Sequence, residues 1–494
     1  MLAARTLEKH KEIPAHVHFR TLPKGPREQK FAALAAIGLK DGEWTDCANG
    51  WRDPFLPKPE GAWAEFPDLD QLFSKSFLGV MPGRTWVIAP DVDSLLRRWS
   101  ALTRERNADR KELLFHPHIR RGKPGDKHLK KTISKGLTGH VARLPAVIHD
   151  HGQCISPTRY GFRSFDRQWI IPDARLINQP SPTLWDIYSA RQIHLTALKK
   201  AAPSSGPAIS FTSLIPDHDH YKGSFAGRVF PLWCNRAATE PNLKPALLTQ
   251  LSKVYGREVK AEDVIAYLAA VMAHSAFTAR FKSDLVRPGL RLPLTADAKL
   301  FTEAVALGSE VIWLHCYGER FFDLEFNRPK QAPRLPKEIA PYIPKAGEIP
   351  GAPEPLPDTM DYDSATRRLK IGNGYVENVT PEMWAYEVSG KQVLWHWFSY
   401  RRRDRTRPII GDRRPPSPLD SIQPDHWLPE YTTDLLDLLN VLGRLIALEP
   451  RQADLLNRIC SGPLRSAEEL QAAGALEISA DQSAKPKGKS KSKA

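Results

Sequence analysis

Ala261-Glu-Asp-Val-Ile-Ala-Tyr-Leu-Ala-Ala-Val-Met-Ala-His-Ser-Ala-Phe-Thr-Ala-Arg-Phe281 is the stretch from which a fold class can be read. Val264, Ile265, Leu268, Met272 and Phe281 recur on one helical face, and Glu262 and Asp263 sit at the start, where acids complement the helix dipole. A second segment, Asp297 to Tyr317, repeats the habit with Leu300, Phe301, Val305, Val311, Ile312 and Leu314. Both read as core helices. Upstream lie two short strands: Gln168-Trp-Ile-Ile171, ended by Pro172-Asp173, and Ala208 to Ile215, ended by Pro216-Asp217. Short strands beside core helices give an α+β class.

Further out the chain keeps this texture. Val17 to Arg20 alternates like a strand end, Pro26 to Ile37 has helical spacing before Gly38, and Arg84 to Pro90 reads as a strand leading through Asp91 into a helix from Ser94 to Arg104. From Phe115 to Lys135 histidine, arginine and lysine dominate, while Gly122, Pro124 and Gly125 break any element. Nine prolines between 328 and 360 forbid regular helix and favour an extended connector. Beyond them Leu369 to Val376 contains Asn373-Gly374, a tight-turn pair, and a helix is expected from Asp434 to Leu448, capped by Thr432 or Thr433 and stopped by Pro450. The lysine-rich end from Lys485 lacks the apolar area to fold.

The whole-chain numbers narrow the partner. With 494 residues the chain exceeds one compact core and should hold about two or three domains. A net charge of +15 favours a polyanion, because a basic surface gathers phosphates and gains from counterion release; a basic protein with a lysine-rich tail is the competing explanation. Five scattered cysteines argue against both a disulfide framework and a C-x-x-C metal site, which implies a reducing cytoplasm. The N-terminus has no apolar core of a signal peptide, and no run approaches the roughly 18 apolar residues of a membrane span.

Several catalytic readings find partial matches. A methyltransferase acting on an exocyclic amine needs an Asn/Asp-Pro-Pro-Tyr/Phe loop, and Asp53-Pro54-Phe55 lacks the second proline and an upstream cofactor turn. Pro216-Asp217 with Glu258-Val-Lys260 formally fits a metal-dependent nuclease, yet Glu258 to Asp263 is better explained as charge at a helix start. Histidines at His116-Pro-His118, His149-Asp-His151 and Asp217-His-Asp-His220 lack a second ligand pair at finger-like spacing. Neither a Gly-x-x-x-x-Gly-Lys-Ser/Thr loop nor a Gly-x-Ser-x-Gly elbow occurs in the chain.

The basic constellations carry more. In Trp397-Phe-Ser-Tyr-Arg-Arg-Arg-Asp-Arg-Thr-Arg407 five arginines, Arg401, Arg402, Arg403, Arg405 and Arg407, fall within seven residues behind an aromatic cluster. Guanidinium groups at that density repel unless a polyanion or carboxylates answer them. Arg159, Arg163 and Arg167 surround Tyr160 and Phe162. Lys222 and Arg228 bracket a glycine-containing loop whose amides could approach a phosphate, and Arg280, Lys282 and Arg287 trail the first core helix. These residues are the candidate nucleic-acid contacts. A solvated face, or pairing within the protein with Asp166, Asp173, Asp284 or Asp404, is the other reading.

Six strings in order resemble the C-terminal specificity region of type ISP restriction-modification enzymes, the single-polypeptide type I-like systems. They are Tyr160 to Ile177, Phe211-Thr-Ser-Leu-Ile-Pro-Asp217, Lys222-Gly-Ser-Phe-Ala-Gly-Arg-Val-Phe-Pro231, Pro288 to Asp297, Trp384-Ala-Tyr-Glu-Val-Ser-Gly390 and Ser417-Pro-Leu-Asp420. Residues 1–115 also resemble that family, in the segment after its methyltransferase motifs, with Arg84-Thr-Trp-Val-Ile-Ala-Pro-Asp91 the clearest string. The organisation expected is 1–115, the end of a methyltransferase module; 116–149, a basic linker; 150–327, the first part of a specificity domain; 328–360, the proline-rich connector; 361–470, its second part; and 471–494, a disordered basic tail.

The resemblance implies a unit of a phage-defence system that binds double-stranded DNA and reads a target site. Adenine methylation and cleavage would be carried by modules outside this sequence. Those modules, possible methyltransferase and helicase-nuclease partner subunits, would take S-adenosylmethionine, ATP and magnesium, and no cofactor is expected in this chain. The matched strings read as scaffold, and which residues read bases does not transfer from them. Two alternatives stand beside it: an adenine methyltransferase completed in trans, and a non-specific DNA-binding assembly protein.

Overall fold

The computed structural model describes residues 14–476, apart from 24, 39, 48–54, 58–60, 118, 121–122, 125–127, 131–135, 140–143, 200, 287–288 and 405–413. Helices and several small antiparallel sheets mix along the chain, as an α+β class requires. Asp53-Pro54, His118, Arg287, Arg405, Arg407 and the tail from 477 lie outside the described residues.

The larger core is built on helices. Ala298–His315 packs along Ala261–Met272, and Pro429–Ser461 crosses both. The first two approach so closely at Gly308 that a Cβ there would stand 1.7 Å from the Ala266 carbonyl oxygen. A side chain at 308 would therefore force the pair apart, which explains a glycine inside an 18-residue helix despite its cost of about 1 kcal/mol in helix propensity.

Two expected helices differ from the sequence reading. The 261–281 helix stops at Met272, passes through an extended His274 (φ −153°) and resumes as Ser275–Arg280. The last helix neither begins at a threonine cap nor ends at Pro450. It starts with Pro429 at its first position, where the missing N–H costs nothing, and Pro450 lies inside it. Leu445, Leu448, Leu455, Leu456 and Ile459 are buried on both sides of that proline. Their burial, roughly 2 kcal/mol per side chain, outweighs the ~3 kcal/mol of an interior proline. The 369–376 turn falls on Gly372-Asn373 rather than Asn373-Gly374, since Ile371 pairs with Gly374 and Gly372 takes φ +54°. Of Arg84–Pro90 only Ile88–Ala89 is strand.

Two three-stranded sheets hold the candidate site. In one, Ile88–Ala89 and Thr158–Arg163 flank Asp166–Ile170; in the other, Gly227–Pro231 and Ser210–Thr212 flank His194–Leu198. They meet where the Gly161 N–H donates to the Ile215 carbonyl (3.0 Å) and the Asp217 N–H to the Gly161 carbonyl (2.8 Å). Tyr160, Phe162 and Ile170 face a second hydrophobic cluster that includes Trp86, Trp99 and Trp185. The proline-rich segment 328–360 has a single 3-10 turn, Lys345–Gly347, as its helical element, and it lays Ile349 and Leu356 into the larger core. Among the described residues no helix is long and apolar enough to cross a membrane.

Three buried histidines lie close together under the second sheet. His220 faces the Thr196 hydroxyl at 3.1 Å, and His315 Nδ1 accepts from the Phe211 N–H at 3.3 Å. Burial pushes His194, His220 and His315 down to about 3, so all three are neutral in the folded protein at neutral pH. The unfolded chain takes up protons near pH 6.5 and the folded one does not. Stability is therefore full above pH 6.5 and lost as pH falls toward 3, by about 2 kcal/mol per histidine at pH 5. Denaturant midpoints should drop well below their pH 7.5 value at pH 5, and equal midpoints would contradict this account.

Candidate nucleic-acid interface

The hairpin Thr158–Arg163/Asp166–Ile170 sorts its side chains by face. Arg159 stands opposite Trp169 and Gly161 opposite Arg167, with a bulge between Gly161 and Arg163. Arg159 stacks on Trp169 (4.8 Å) and pairs with Asp434 at 3.2 Å. Arg167 lies 3.7 Å over the Tyr317 ring and 3.5 to 3.8 Å from Glu319, Asp437 and Asp434. Both thus tie the hairpin to the long C-terminal helix.

Past the bulge, Arg163 turns the other way. Its Nη1 meets Asp217 at 2.7 Å, and the Tyr160 hydroxyl donates to the other Asp217 oxygen at 2.9 Å. Burial alone would lower the Arg163 pKa, but the Asp217 carboxylate beside it raises it; burial raises the Asp217 pKa in turn, against the pull of Arg163. Asp217, one half of the nuclease-like match, is thereby a structural carboxylate. Lys260, in the other half, is the N-cap residue of the Ala261–Met272 helix. Among the described residues no three histidine, cysteine, aspartate or glutamate side chains group as metal ligands would.

The arginine cluster divides. Arg401 is 1% exposed: it pairs with Asp166 at 2.8 Å, donates to the Trp397 carbonyl at 2.9 Å and lies 4.0 Å over the Trp397 ring. Asp166 is one of the acids named in the sequence as a possible internal partner. Arg403 is exposed and paired with Asp358. Arg402 lies between them in burial, and its buried Nε meets no hydrogen-bond partner among the described residues.

The loop after Asp217 brings lysines beside this segment. Lys222 and Lys391 line one crevice with Arg163, Tyr221, His396 and Trp397. Burial first, then the neighbouring Lys391, lowers the Lys222 pKa; Glu387 opposes. Gly223 is required there, since a Cβ would stand 2.6 Å from His396 and 3.3 Å from the Arg163 Nε. His396 in turn lies 3.4 Å from the Tyr400 hydroxyl. Lys391 and His396 were not among the residues singled out in the sequence. The signal was the Ser389-Gly390 pair, both at positive φ (50° and 77°), which closes a two-residue hairpin turn and sets Lys391 beside the helix Val393–Phe398.

The remaining candidates lie elsewhere. Arg228 pairs with Asp70, Arg280 donates to Asn457 at 2.9 Å, and Lys282 is exposed. The structure thus brings Arg163, Lys222, Arg401 and Arg402 into one region and leaves Arg228, Arg280 and Lys282 outside that crevice.

A family model described as the Type ISP C-terminal specificity domain matches residues 71–438. The chain belongs to this family. Solved structures share the fold at low identity. A cryo-EM structure of a DrdV–DNA complex aligns with TM-score 0.56 and 15% identity over 89% of this chain and 43% of that one. LlaBIII, an ATP-dependent Type ISP restriction-modification enzyme bound to DNA, gives 0.54 and 12% over 88% and 27%. A nuclease-deletion mutant of the Type ISP enzyme LlaGI, in complex with a DNA substrate mimic, gives 0.52 and 12% over 87% and 31%. The chain therefore spans less than half the length of each. No curated protein matches the sequence.

Removing one partner of a buried ion pair strands the other charge. Asp166→Ala should cost about 3–5 kcal/mol in chemical denaturation, whereas Arg403→Ala, losing a surface pair, should cost less than about 1 kcal/mol. Equal losses would show that the Arg401–Asp166 pair does not hold the hairpin.

Proposed function

We propose that this chain recognises double-stranded DNA as the specificity part of a type ISP-like restriction-modification enzyme. The observation that carries the reading is the family match over residues 71–438, on a chain whose Lys222, Lys391 and Arg163 line one crevice. The DNA bound in the three solved relatives supports it. In this reading Lys222, Lys391, Arg402 and Arg403 grip phosphates, with Arg405 and Arg407 continuing the same segment. Arg159, Arg163, Arg167 and Arg401 hold the frame that presents them. Arg228, Arg280, Lys282 and Arg287 are further phosphate contacts.

Phosphate contacts fix register, and sequence is read by groups reaching base edges. Adenine methylation and cleavage, with S-adenosylmethionine, ATP and magnesium, then belong to methyltransferase and helicase-nuclease modules outside these residues. The role would be exercised inside the cell, in defence against phage.

Selection from a randomised duplex library by the purified chain should enrich a discrete sequence motif. Lys222→Ala/Lys391→Ala should weaken binding to the selected duplex about tenfold or more and flatten the dependence of affinity on salt by roughly 1–2 units of slope. Equal affinity for selected and random duplexes would remove the specificity reading. An unchanged double variant would remove this face from the interface.

A further inference from the structure

The loop between Asp219 and Gly227 carries a feature that phosphate gripping does not use. Phe225 is 62% exposed, and it is held in the left-handed region (φ +71°) next to Ala226 (φ +56°), with Gly223 at φ +82°. Two consecutive residues with side chains rarely adopt that backbone, and such strain persists only where the surroundings impose it. Here they do. The Ala226 N–H donates to the Asp219 carboxylate (3.0 Å), the Gly227 N–H to the His218 carbonyl (2.6 Å) and the Gly223 N–H to the Asp219 carbonyl (2.6 Å). The Lys199 N–H donates to the Ala226 carbonyl at 3.2 Å. The loop is fixed from both ends while its aromatic side chain points away from the core.

Nearby carboxylates separate the exposed Phe322 and Phe326 from this aromatic. Phe322 and Phe326 also have a cation at the ring, Lys330 at 5.4 Å and Arg328 at 5.5 Å, but Asp323 and Glu325 lie between them in the chain, and those carboxylates would repel a phosphate backbone. Phe225 has the Lys222 ammonium 5.2 Å from its ring centre, and Lys222 shares its crevice with Lys391, Arg163 and His396. An aromatic on a rigid, cation-flanked finger suits a base stack, where apolar side chains wedge between base pairs and neighbouring cations hold the phosphates. Lys222 would anchor the strand and Phe225 would enter the step beside it.

We propose that Phe225 is a stacking wedge that inserts into the bound duplex and unstacks one base step. The inference rests on the DNA-recognition reading and adds a specific distortion to it. Recognition would then depend on how easily that step opens, in addition to any base-edge contact.

The test uses the full chain and a duplex that it selects from a random library, probed with permanganate, which oxidises unstacked thymines, at each position in turn. Wild-type protein should make one step hyper-reactive. Phe225→Ala should abolish that reactivity and weaken binding about tenfold or more, the loss expected for one stacked base, while leaving the salt slope unchanged because no phosphate contact is lost. Phe225→Trp should restore both reactivity and affinity. Because the side chain is exposed, neither variant should alter the denaturation midpoint. If Phe225→Ala keeps wild-type affinity and footprint, or if its salt slope falls as for Lys222→Ala, the wedge is wrong while DNA recognition stands. A wild-type chain that binds no duplex overturns the recognition reading itself, and the wedge with it.

Discussion

A guanidinium group drawn wholly or partly out of water must be answered by a carboxylate or by carbonyls, and the hairpin Thr158–Ile170 is positioned by that constraint. Arg159 and Arg167 leave it toward Asp434 and Asp437, Arg163 toward Asp217, and Asp166 receives Arg401 from more than 200 residues along the chain. Each pair joins segments that the sequence keeps far apart. Together they fix one small sheet against the long C-terminal helix, the His194–Leu198 sheet and the Val393–Phe398 helix. Desolvation makes such pairs weak sources of net stability, but costly ones to break by half. They specify an arrangement more than they deepen it, which suits a frame that must hold a loop and a lysine pair in register.

The same constraint explains how far the sequence could be read. Helical periodicity placed Ala298–His315 almost to the residue, and Asp297 and Asp91 cap helices near the expected starts. Periodicity fails where burial overrides a local rule: Pro450 sits inside the final helix because apolar residues on both flanking turns keep it packed. It fails again at His274, where extended backbone divides a stretch that carries no proline or glycine. No local pattern announces that break.

For the candidate site, dense arginine signals that anions are needed without saying whether they belong to the protein or to a ligand. Asp166 stood among the possible internal partners, and Arg401 finds it; Asp173 is taken by Arg175 and Asp150 joins that pair. Which acid meets which arginine is decided by strand register and helix placement, and neither is written in the local sequence. Part of the recognisable sequence is frame, although the Lys222–Pro231 string also carries Lys222 and Phe225. Arg84, from the clearest upstream string, donates to the Phe115 and Leu176 carbonyls and packs over the Phe115 ring.

Separating frame from contact has a physical logic. A group that grips phosphate must be hydrated and at most lightly held, as Arg403 is by its surface pair with Asp358, so the buried pairs that hold the fold are kept apart from it. A long side chain ordered only on binding loses rotamer freedom at that moment, and the surrounding backbone should not add to the loss. The loop from Asp219 to Gly227 meets that requirement with backbone hydrogen bonds and left-handed residues rather than with apolar burial of its tip. Its rigidity is secured from below, by Asp217 on Arg163 and on the Asp219 N–H, and by the Asp219 carboxylate on the Ala226 N–H. The outward side chains, Lys222 and Phe225, are then left with no structural duty, which is the condition under which charge and aromatic surface can be kept for a ligand.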